Sequence, residues 1–172
     1  VERSRGLGDV YKRQRLTGPF ISLVRKAKIM KRLLSTTVLL SMFSTVVFAE
    51  DTTIGMLNKR DDGAKMVYSE DVTRIDVGDT ITWLPKSKGH NVEFTMGPKG
   101  WELPKKSKNN KEVSITFDTP GLYLYQCTPH ATMGMIALVV VGDDISNKNV
   151  IAKAKVRGKS KRKLKELLTE LQ

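Results

Sequence analysis

Short runs typical of β-strands recur at close intervals along the chain, and this feature limits the possible folds most. Each run is apolar or alternates between apolar and polar residues, and turn-forming residues separate it from the next run. The runs are residues 54–59, 65–69, 72–77, 80–84, 92–95, 113–117, 122–126 and 136–141. This series predicts an all-β fold built from antiparallel strands. Because the last run is apolar at nearly every position, we expect it to lie inside a sandwich.

Two α-helices are predicted after the last strand, in residues 143–172. Asp143 or Asp144 can cap the first helix, which runs to about Lys155. Gly158 ends it, and Ser160 can cap the second helix. Four leucines of the second helix recur at helical spacing and form one apolar stripe: Leu164, Leu167, Leu168 and Leu171. We expect this stripe to pack on the β domain, and a helix that docks on a partner or a membrane surface is the alternative.

Residues 30–49 show the three parts of a secretory signal peptide. Lys31 and Arg32 form a basic start, residues 33–48 are mostly apolar, and Ala49 is a small residue at the predicted cleavage position. An uncleaved membrane anchor is the alternative, but the apolar run of about 16 residues is shorter than the roughly 20 that a spanning helix needs. We therefore predict a periplasmic protein, residues 50–172, with no stable membrane insertion after cleavage.

Residues 1–29 precede the expected start at Met30. They are rich in Arg and Lys, poor in acidic residues and without sustained periodicity. An organellar targeting peptide would share this bias, but a signal sequence follows directly. We expect this segment to be non-native upstream sequence or disordered.

The formal net charge of +12 suggests a nucleic-acid partner until the charges are located along the chain. Residues 1–49 contain ten of the thirty Lys and Arg residues, and residues 153–165 contain eight more. Residues 50–152 contain twelve basic and fourteen acidic residues, so this part of the chain is close to neutral. We therefore expect no nucleic-acid binding.

The one cysteine and both histidines of the chain fall in an arrangement typical of a metal site. Cys127 and His130 lie in the segment CTPHATMGM at residues 127–135, and His90 lies in the segment GHNVEF. A single cysteine excludes an internal disulfide, and a free thiol in an exported protein is explained by metal ligation. One thiolate, two imidazoles and a weak axial thioether suit both Cu(I) and Cu(II). The residues therefore predict a copper site that can change oxidation state with little movement.

These motifs resemble the pseudoazurins, a family of cupredoxins. The segments MLNK at residues 56–59 and VGDTITW at residues 77–83 share in this resemblance, which covers nearly all of residues 52–172. It implies an eight-stranded Greek-key β-sandwich over residues 50–142 and one mononuclear type I copper bound through histidine Nδ1. Position by position, the implied ligands are His90, Cys127, His130 and Met135.

Met133 is the alternative axial ligand, because it lies three residues after His130, a spacing that resembles amicyanin. The Gly134-Met135 pair and the five-residue step from His130 resemble pseudoazurin and plastocyanin instead. This comparison favours Met135. Met133 is then expected in the apolar surface around the exposed edge of His130.

Three further residues are expected to support the metal site. Asn91 can tether the two ligand loops and tune the thiolate through hydrogen bonds, or it is simply a turn residue. Pro129 stiffens the ligand loop by fixing φ and places an apolar group beside His130. Met66 matches a pseudoazurin position near that histidine, and core packing is the alternative.

An electron carrier that exchanges electrons through His130 is the function these residues favour. Seven lysines lie in the connections near His90 or between it and Phe117, and several are expected to ring the apolar patch over His130 and to steer partners with acidic docking patches; ordinary surface lysines are the alternative. The lysines are Lys86, Lys88, Lys99, Lys105, Lys106, Lys108 and Lys111. The resemblance implies a copper nitrite reductase as acceptor, with cytochrome c as a possible donor, and a free docking face favours a monomer. Copper storage or delivery is the rival function. An oxidase or reductase would need a second metal or a substrate pocket, and no further histidine remains to build another copper centre.

Overall fold

Two four-stranded sheets form the domain in the computed structural model, which describes residues 51–171. The strands are β1 (Asp51–Lys59), β2 (Lys65–Tyr68), β3 (Val72–Ile75), β4 (Thr80–Leu84), β5 (Glu93–Met96), β6 (Val113–Thr116), β7 (Gly121–Gln126) and β8 (Ile136–Val141). The order in one sheet is β2-β1-β4-β6, and the order in the other is β3-β8-β7-β5. The predicted eight-stranded sandwich is therefore confirmed. The predicted upstream segment and signal peptide lie outside the described residues.

Two strand pairs are parallel, which corrects the expectation of antiparallel strands throughout. β1 runs parallel to β4, and β3 runs parallel to β8. The turn at Gly78 and Asp79 carries the chain from one sheet to the other, so that β3 and β4 do not pair with each other. Alternation of side chains is the same in parallel and antiparallel strands, and it therefore does not indicate the direction of a partner strand.

Aromatic side chains fill the space between the two sheets. Trp83 is fully buried, with its ring centroid 5.6 Å from that of Phe94 and 5.3 Å from that of Tyr125. Cys127 and Met135 belong to the same buried cluster. Two of the predicted copper ligands are thus anchored in the core that holds the sheets together.

Strand β8 is buried on both faces, as its apolar sequence predicted. Ala137, Val139 and Val141 face the aromatic core between the sheets. The other three residues of the strand, Ile136, Leu138 and Val140, belong to a second apolar cluster that includes the C-terminal leucines. The second cluster explains why this strand needs no polar face.

The helices after β8 are α1 (Lys148–Ile151) and α2 (Ser160–Glu170). The prediction of a longer first helix capped by Asp143 or Asp144 was wrong. The Asp144 carboxylate accepts a hydrogen bond from the Ser146 N–H at 2.7 Å, and Asn147 takes the cap position of α1. The leucines of the predicted stripe are all buried in the second cluster: Leu164, Leu167, Leu168 and Leu171. Neither helix, nor any other in residues 51–171, is long and apolar enough to cross a bilayer.

Candidate metal centre

Three of the predicted ligands converge at one end of the sandwich. Cys127 follows β7, His130 lies in the 3-10 helix Thr128–Met133, and His90 lies between β4 and β5. The Cys127 Sγ atom is 3.7 Å from His90 Nδ1 and 3.5 Å from His130 Nδ1. Metal bonds of about 2.0 Å to nitrogen and about 2.3 Å to sulfur separate such atoms by roughly 3.7 Å in a trigonal plane. The observed separations therefore fit one metal ion bound by all three side chains.

Met135 completes this set of donor groups from inside the core. Its side chain is fully buried, whereas the side chain of Met133 is 48% exposed. The Met135 N–H donates to the His130 carbonyl at 3.3 Å, and the Met135 carbonyl accepts from the Cys127 N–H at 3.0 Å. The backbone thus joins Met135 to two of the other ligands, while Met133 lies at the surface. His90, Cys127, His130 and Met135 form an arrangement suited to a single type I copper.

Asn58, which was not among the predicted site residues, orients the imidazole of His90. The Asn58 Oδ1 atom lies 2.8 Å from His90 Nε2. An amide oxygen only accepts hydrogen bonds, so the imidazole proton lies on Nε2, and Nδ1 presents its lone pair to a metal. Burial lowers the pKa of His90, and the neighbouring His130 lowers it further. The neutral imidazole that a metal requires is therefore favoured.

The Cys127 thiol is enclosed by the protein. Burial raises the pKa of Cys127, while hydrogen bonds from the backbone N–H groups of Asn91 and His130 oppose this rise. A metal bound to the thiol would displace its proton. The same two N–H groups would then stabilise the negative charge of the thiolate.

Asn91 joins the two segments that carry the ligands. Its Oδ1 atom accepts from the Thr128 N–H at 2.8 Å, and its Nδ2 group donates to the Thr128 hydroxyl at 3.1 Å. The Nδ2 group also donates to the Ser107 carbonyl at 3.3 Å. Asn91 follows His90, and Thr128 follows Cys127, so these bonds connect the two ligands through their chain neighbours.

The remaining predicted site residues lie at or near the surface. Pro129 is exposed beside the half-buried His130, and Met66 is half-buried and packs against the aromatic core. Lys106 and Lys108 line one shallow depression together with Asn91, Thr128 and Pro129. These two lysines therefore lie next to the copper loop, the segment Thr128–Gly134.

Lys99 does not belong to this surface, which corrects its inclusion in the predicted ring. It follows Pro98, whose ring packs against Gly121 at the start of β7. Cys127 follows the other end of this six-residue strand, and six residues span about 20 Å at about 3.3 Å each. Lys99 is close to the others in sequence, but residues 97–101 turn at the opposite end of the sandwich.

A β-sandwich that presents a thiolate, two imidazoles and a buried thioether at one end defines a type I copper protein. Residues 54–142 match the family described as copper binding proteins, plastocyanin/azurin family. The pseudoazurin of Paracoccus pantotrophus is 39% identical over 126 residues, which cover 72% of this chain and 86% of that protein.

Solved pseudoazurin structures share the fold. The structure from Sinorhizobium meliloti has a TM-score of 0.67 and 40% identity, covering 71% of this chain and 96% of that chain. The structure from Methylobacterium extorquens AM1 has a TM-score of 0.66 and 35% identity, covering 72% of this chain and 100% of that chain. The chain therefore belongs to the plastocyanin/azurin family of copper-binding proteins and, within it, to the pseudoazurins. The predicted family, fold and copper cofactor are confirmed, and the chain is a blue-copper electron carrier.

Proposed function

We propose that the chain is a periplasmic electron carrier, not an enzyme, that cycles one copper ion between Cu(II) and Cu(I). His90, Cys127, His130 and Met135 are the proposed ligands. The observation that carries this proposal is the convergence of one Sγ and two imidazole nitrogens within 4.8 Å. Bound copper supplies a one-electron couple. The protein contributes a rigid set of ligands, so that little movement accompanies the transfer.

His130 is the proposed path for the electron. His90, Cys127 and Met135 are fully buried, whereas the His130 side chain is half-buried. The exposed side chains of Pro129 and Met133 lie beside it in the chain. A partner that covers this apolar surface excludes water and approaches the imidazole edge closely.

The proposed partners are periplasmic redox proteins with acidic docking patches. A copper nitrite reductase is the proposed acceptor, and cytochrome c is a possible donor. Charge supports this choice, because the predicted lysines, apart from Lys99, lie exposed in the connections before and after His90: Lys86, Lys88, Lys105, Lys106, Lys108 and Lys111. Opposite charge raises the encounter rate more than the affinity, which suits a carrier that must release its partner quickly. The carrier is proposed to act as a monomer, since this leaves the docking face free.

Export rests on the signal peptide predicted in residues 30–49. Copper storage or delivery is the rival function and requires a metal that exchanges readily. The full burial of Cys127 and His90 disfavours it, because an accepting protein cannot reach these ligands without opening the site.

Visible absorption of residues 50–172 after addition of Cu(II) tests the proposal, with Cys127→Ser as the control. We expect an intense thiolate-to-copper band that bleaches on reduction and is missing from the Cys127→Ser variant. Because the band requires a bond between sulfur and copper, a colourless protein would rule out Cys127 as a ligand. Weak absorption unaffected by the substitution would do the same, and copper delivery would then be the better proposal.

A further inference from the structure

The start of α2 lies directly on the copper loop. The Lys159 N–H donates to the Thr132 carbonyl at 2.9 Å. The Ser160 hydroxyl donates to the carbonyl of Ala131. Ala131 and Thr132 are the two residues that follow His130. The C-terminal segment therefore holds the part of the chain that lies between two proposed ligands, His130 and Met135.

Gly158 allows this close approach. Its φ is +59°, and a Cβ atom at this position would lie 2.3 Å from the Thr132 oxygen and 3.0 Å from the Thr132 carbonyl carbon. These atoms belong to the backbone, so they cannot turn aside as a flexible side chain would. A side chain at residue 158 would therefore displace the copper loop, and glycine is needed both for the contact and for the left-handed conformation.

Ser160 uses its hydroxyl for the copper loop instead of for its own helix. Serine before a helix usually caps the first turn, and the sequence predicted this role. The cap position is held by Lys159, which makes no side-chain capping bond, and Ser160 is 1% exposed. The contact of Ser160 with the copper loop therefore outweighs its local preference for capping the helix.

The ends of the copper loop are joined by two hydrogen bonds of 3.0 Å, from the Cys127 N–H to the Met135 carbonyl and from the His130 N–H to the Cys127 carbonyl, but the bonds across its middle are longer. The Gly134 N–H donates to the Ala131 carbonyl at 3.3 Å, and the Met135 N–H donates to the His130 carbonyl at 3.3 Å. Both distances exceed the usual range of about 2.7–3.2 Å for such bonds. The bond from Lys159 at 2.9 Å is shorter than either, so the contacts with residues 158–160 add restraint at Ala131 and Thr132, between the two proposed ligands.

We propose that Gly158 and Ser160 are positioning residues that hold His130 and Met135 at a fixed separation around the copper. This inference rests on the proposed function and its ligand set. Cu(II) prefers a tetragonal field rich in nitrogen, and Cu(I) prefers soft sulfur in low coordination. A restrained loop keeps the ligands between these preferences. A released loop lets the site relax toward the geometry that Cu(II) prefers, which stabilises the oxidised form.

The reduction potential of the copper-loaded Ser160→Ala and Gly158→Ala variants tests this inference. We expect both variants to favour Cu(II), by about tenfold in the ratio of oxidised to reduced protein, which corresponds to about 59 mV for one electron. The relative intensities of the thiolate-to-copper bands should change together with the reduction potential. Ser160→Ala removes only a hydroxyl, so it remains informative if Gly158→Ala fails to fold.

Two control variants separate this effect from a general loss of stability. Gly78→Ala places a side chain at φ +99° with nothing within 4 Å, in the turn that bonds to Phe117. Thr169→Ala removes a hydroxyl that bonds only within α2. Both controls should keep the wild-type potential and spectrum.

Unchanged potentials and spectra in both test variants, with only a lower unfolding temperature, would overturn the inference and leave the proposed function intact. A wild-type protein without the thiolate-to-copper band would instead refute the proposed function, and the positioning role with it.

Discussion

At the scale of single residues, the copper site consists of ligands and of side chains that hold them, such as Asn58 beside His90 and Asn91 beside Thr128. His90, Cys127 and His130 could be identified because the chain has only one cysteine and two histidines. Asn58 could not, since it bonds to a histidine 32 positions away and asparagine is common in turns. A supporting residue of this kind becomes visible only when the fold brings distant segments together.

Asn91→Ala tests the tether between the ligand segments. The substitution leaves the Ser107 carbonyl and the Thr128 N–H without their partner, and we expect the free energy of unfolding to fall by about 1–3 kcal/mol. The thiolate-to-copper band should also shift, because Thr128 directly follows Cys127. Denaturant unfolding and visible absorption measure the two effects.

Asn147→Ala is the matched control for this prediction. The Asn147 side chain bonds to the N–H and the carbonyl of Leu122 at 2.9 and 2.8 Å, near the start of β7 and away from the copper end. We expect Asn147→Ala to lower the free energy of unfolding by a similar amount and to leave the visible spectrum unchanged. If both variants kept the wild-type band, the role of Asn91 in the copper site would be refuted.

At the scale of the elements, the sequence predicted strands more accurately than it predicted their partners. Alternating and apolar runs located the eight strands. The parallel pairing of β1 with β4 arises because the chain passes from one sheet to the other between these strands, and no local sequence pattern indicates this passage. The helix bounds failed for a related reason. Asp144 and Ser160 are good capping residues, yet each uses its side chain elsewhere. Ser160 bonds to the Ala131 carbonyl in a tertiary contact, whereas Asp144 bonds to the Ser146 N–H in a local turn, and both bonds compete with helix capping.

Asp71 connects three elements, and its substitution tests how α2 is held on the sandwich. Its carboxylate lies 3.1 Å from Arg60 after β1 and 2.5 Å from Lys163 in α2. Burial raises the pKa of Asp71, but hydrogen bonds from Arg60 and Lys163 outweigh it, and the net pKa lies below the usual value. A lowered folded-state pKa stabilises the protein above the unfolded value of about 3.9, and this contribution is lost as the pH falls through the folded-state pKa.

We expect Asp71→Asn to lower the free energy of unfolding by about 1–2 kcal/mol at pH 7, since the pair is only partly buried. The difference from wild type should begin to shrink below about pH 4, where Asp71 of the unfolded chain takes up a proton, and should vanish as the pH falls through the lower pKa of the folded state. Denaturant unfolding at pH 7 and pH 3 measures this change. The control is Asp143→Asn, because Asp143 pairs with Arg74, which is 49% exposed. This substitution should lower the free energy of unfolding by less than about 0.5 kcal/mol. A difference for Asp71→Asn that is independent of pH would contradict the role of its charge.

At the scale of the whole molecule, the two ends of the sandwich have different tasks. One end carries the copper loop, the half-buried His130 and the lysines that line its margin. The opposite end carries the turns at residues 76–79 and 97–101. The sequence gives the number of lysines in each connection, but the connection between β5 and β6 runs from one end of the sandwich to the other. Lys99 and Lys108 therefore looked equivalent in sequence and are separated in the fold.

Because Lys99 and Lys108 lie far apart, substituting each of them gives two variants with the same net charge but with the change at different surfaces. Lys108→Glu and Lys99→Glu change the charge equally, but only Lys108 lies beside the copper loop. We expect Lys108→Glu to slow electron transfer to an acidic redox partner about tenfold at low ionic strength, because steering acts at the surface that docks. Lys99→Glu should have a much smaller effect, since its distance from that surface exceeds the screening length of about 10 Å at 0.1 M salt.

Stopped-flow measurement of electron transfer at several ionic strengths, with the reduction potential of each variant checked, measures this prediction. Doubling the ionic strength should slow the wild-type reaction, and it should slow the Lys108→Glu reaction less, because that variant has lost part of the attraction that salt screens. Equal slowing by both substitutions would mean that only net charge matters. A wild-type rate insensitive to salt would mean that the lysines beside the copper loop do not steer the partner, and the approach to His130 would then depend on the apolar surface of Pro129 and Met133.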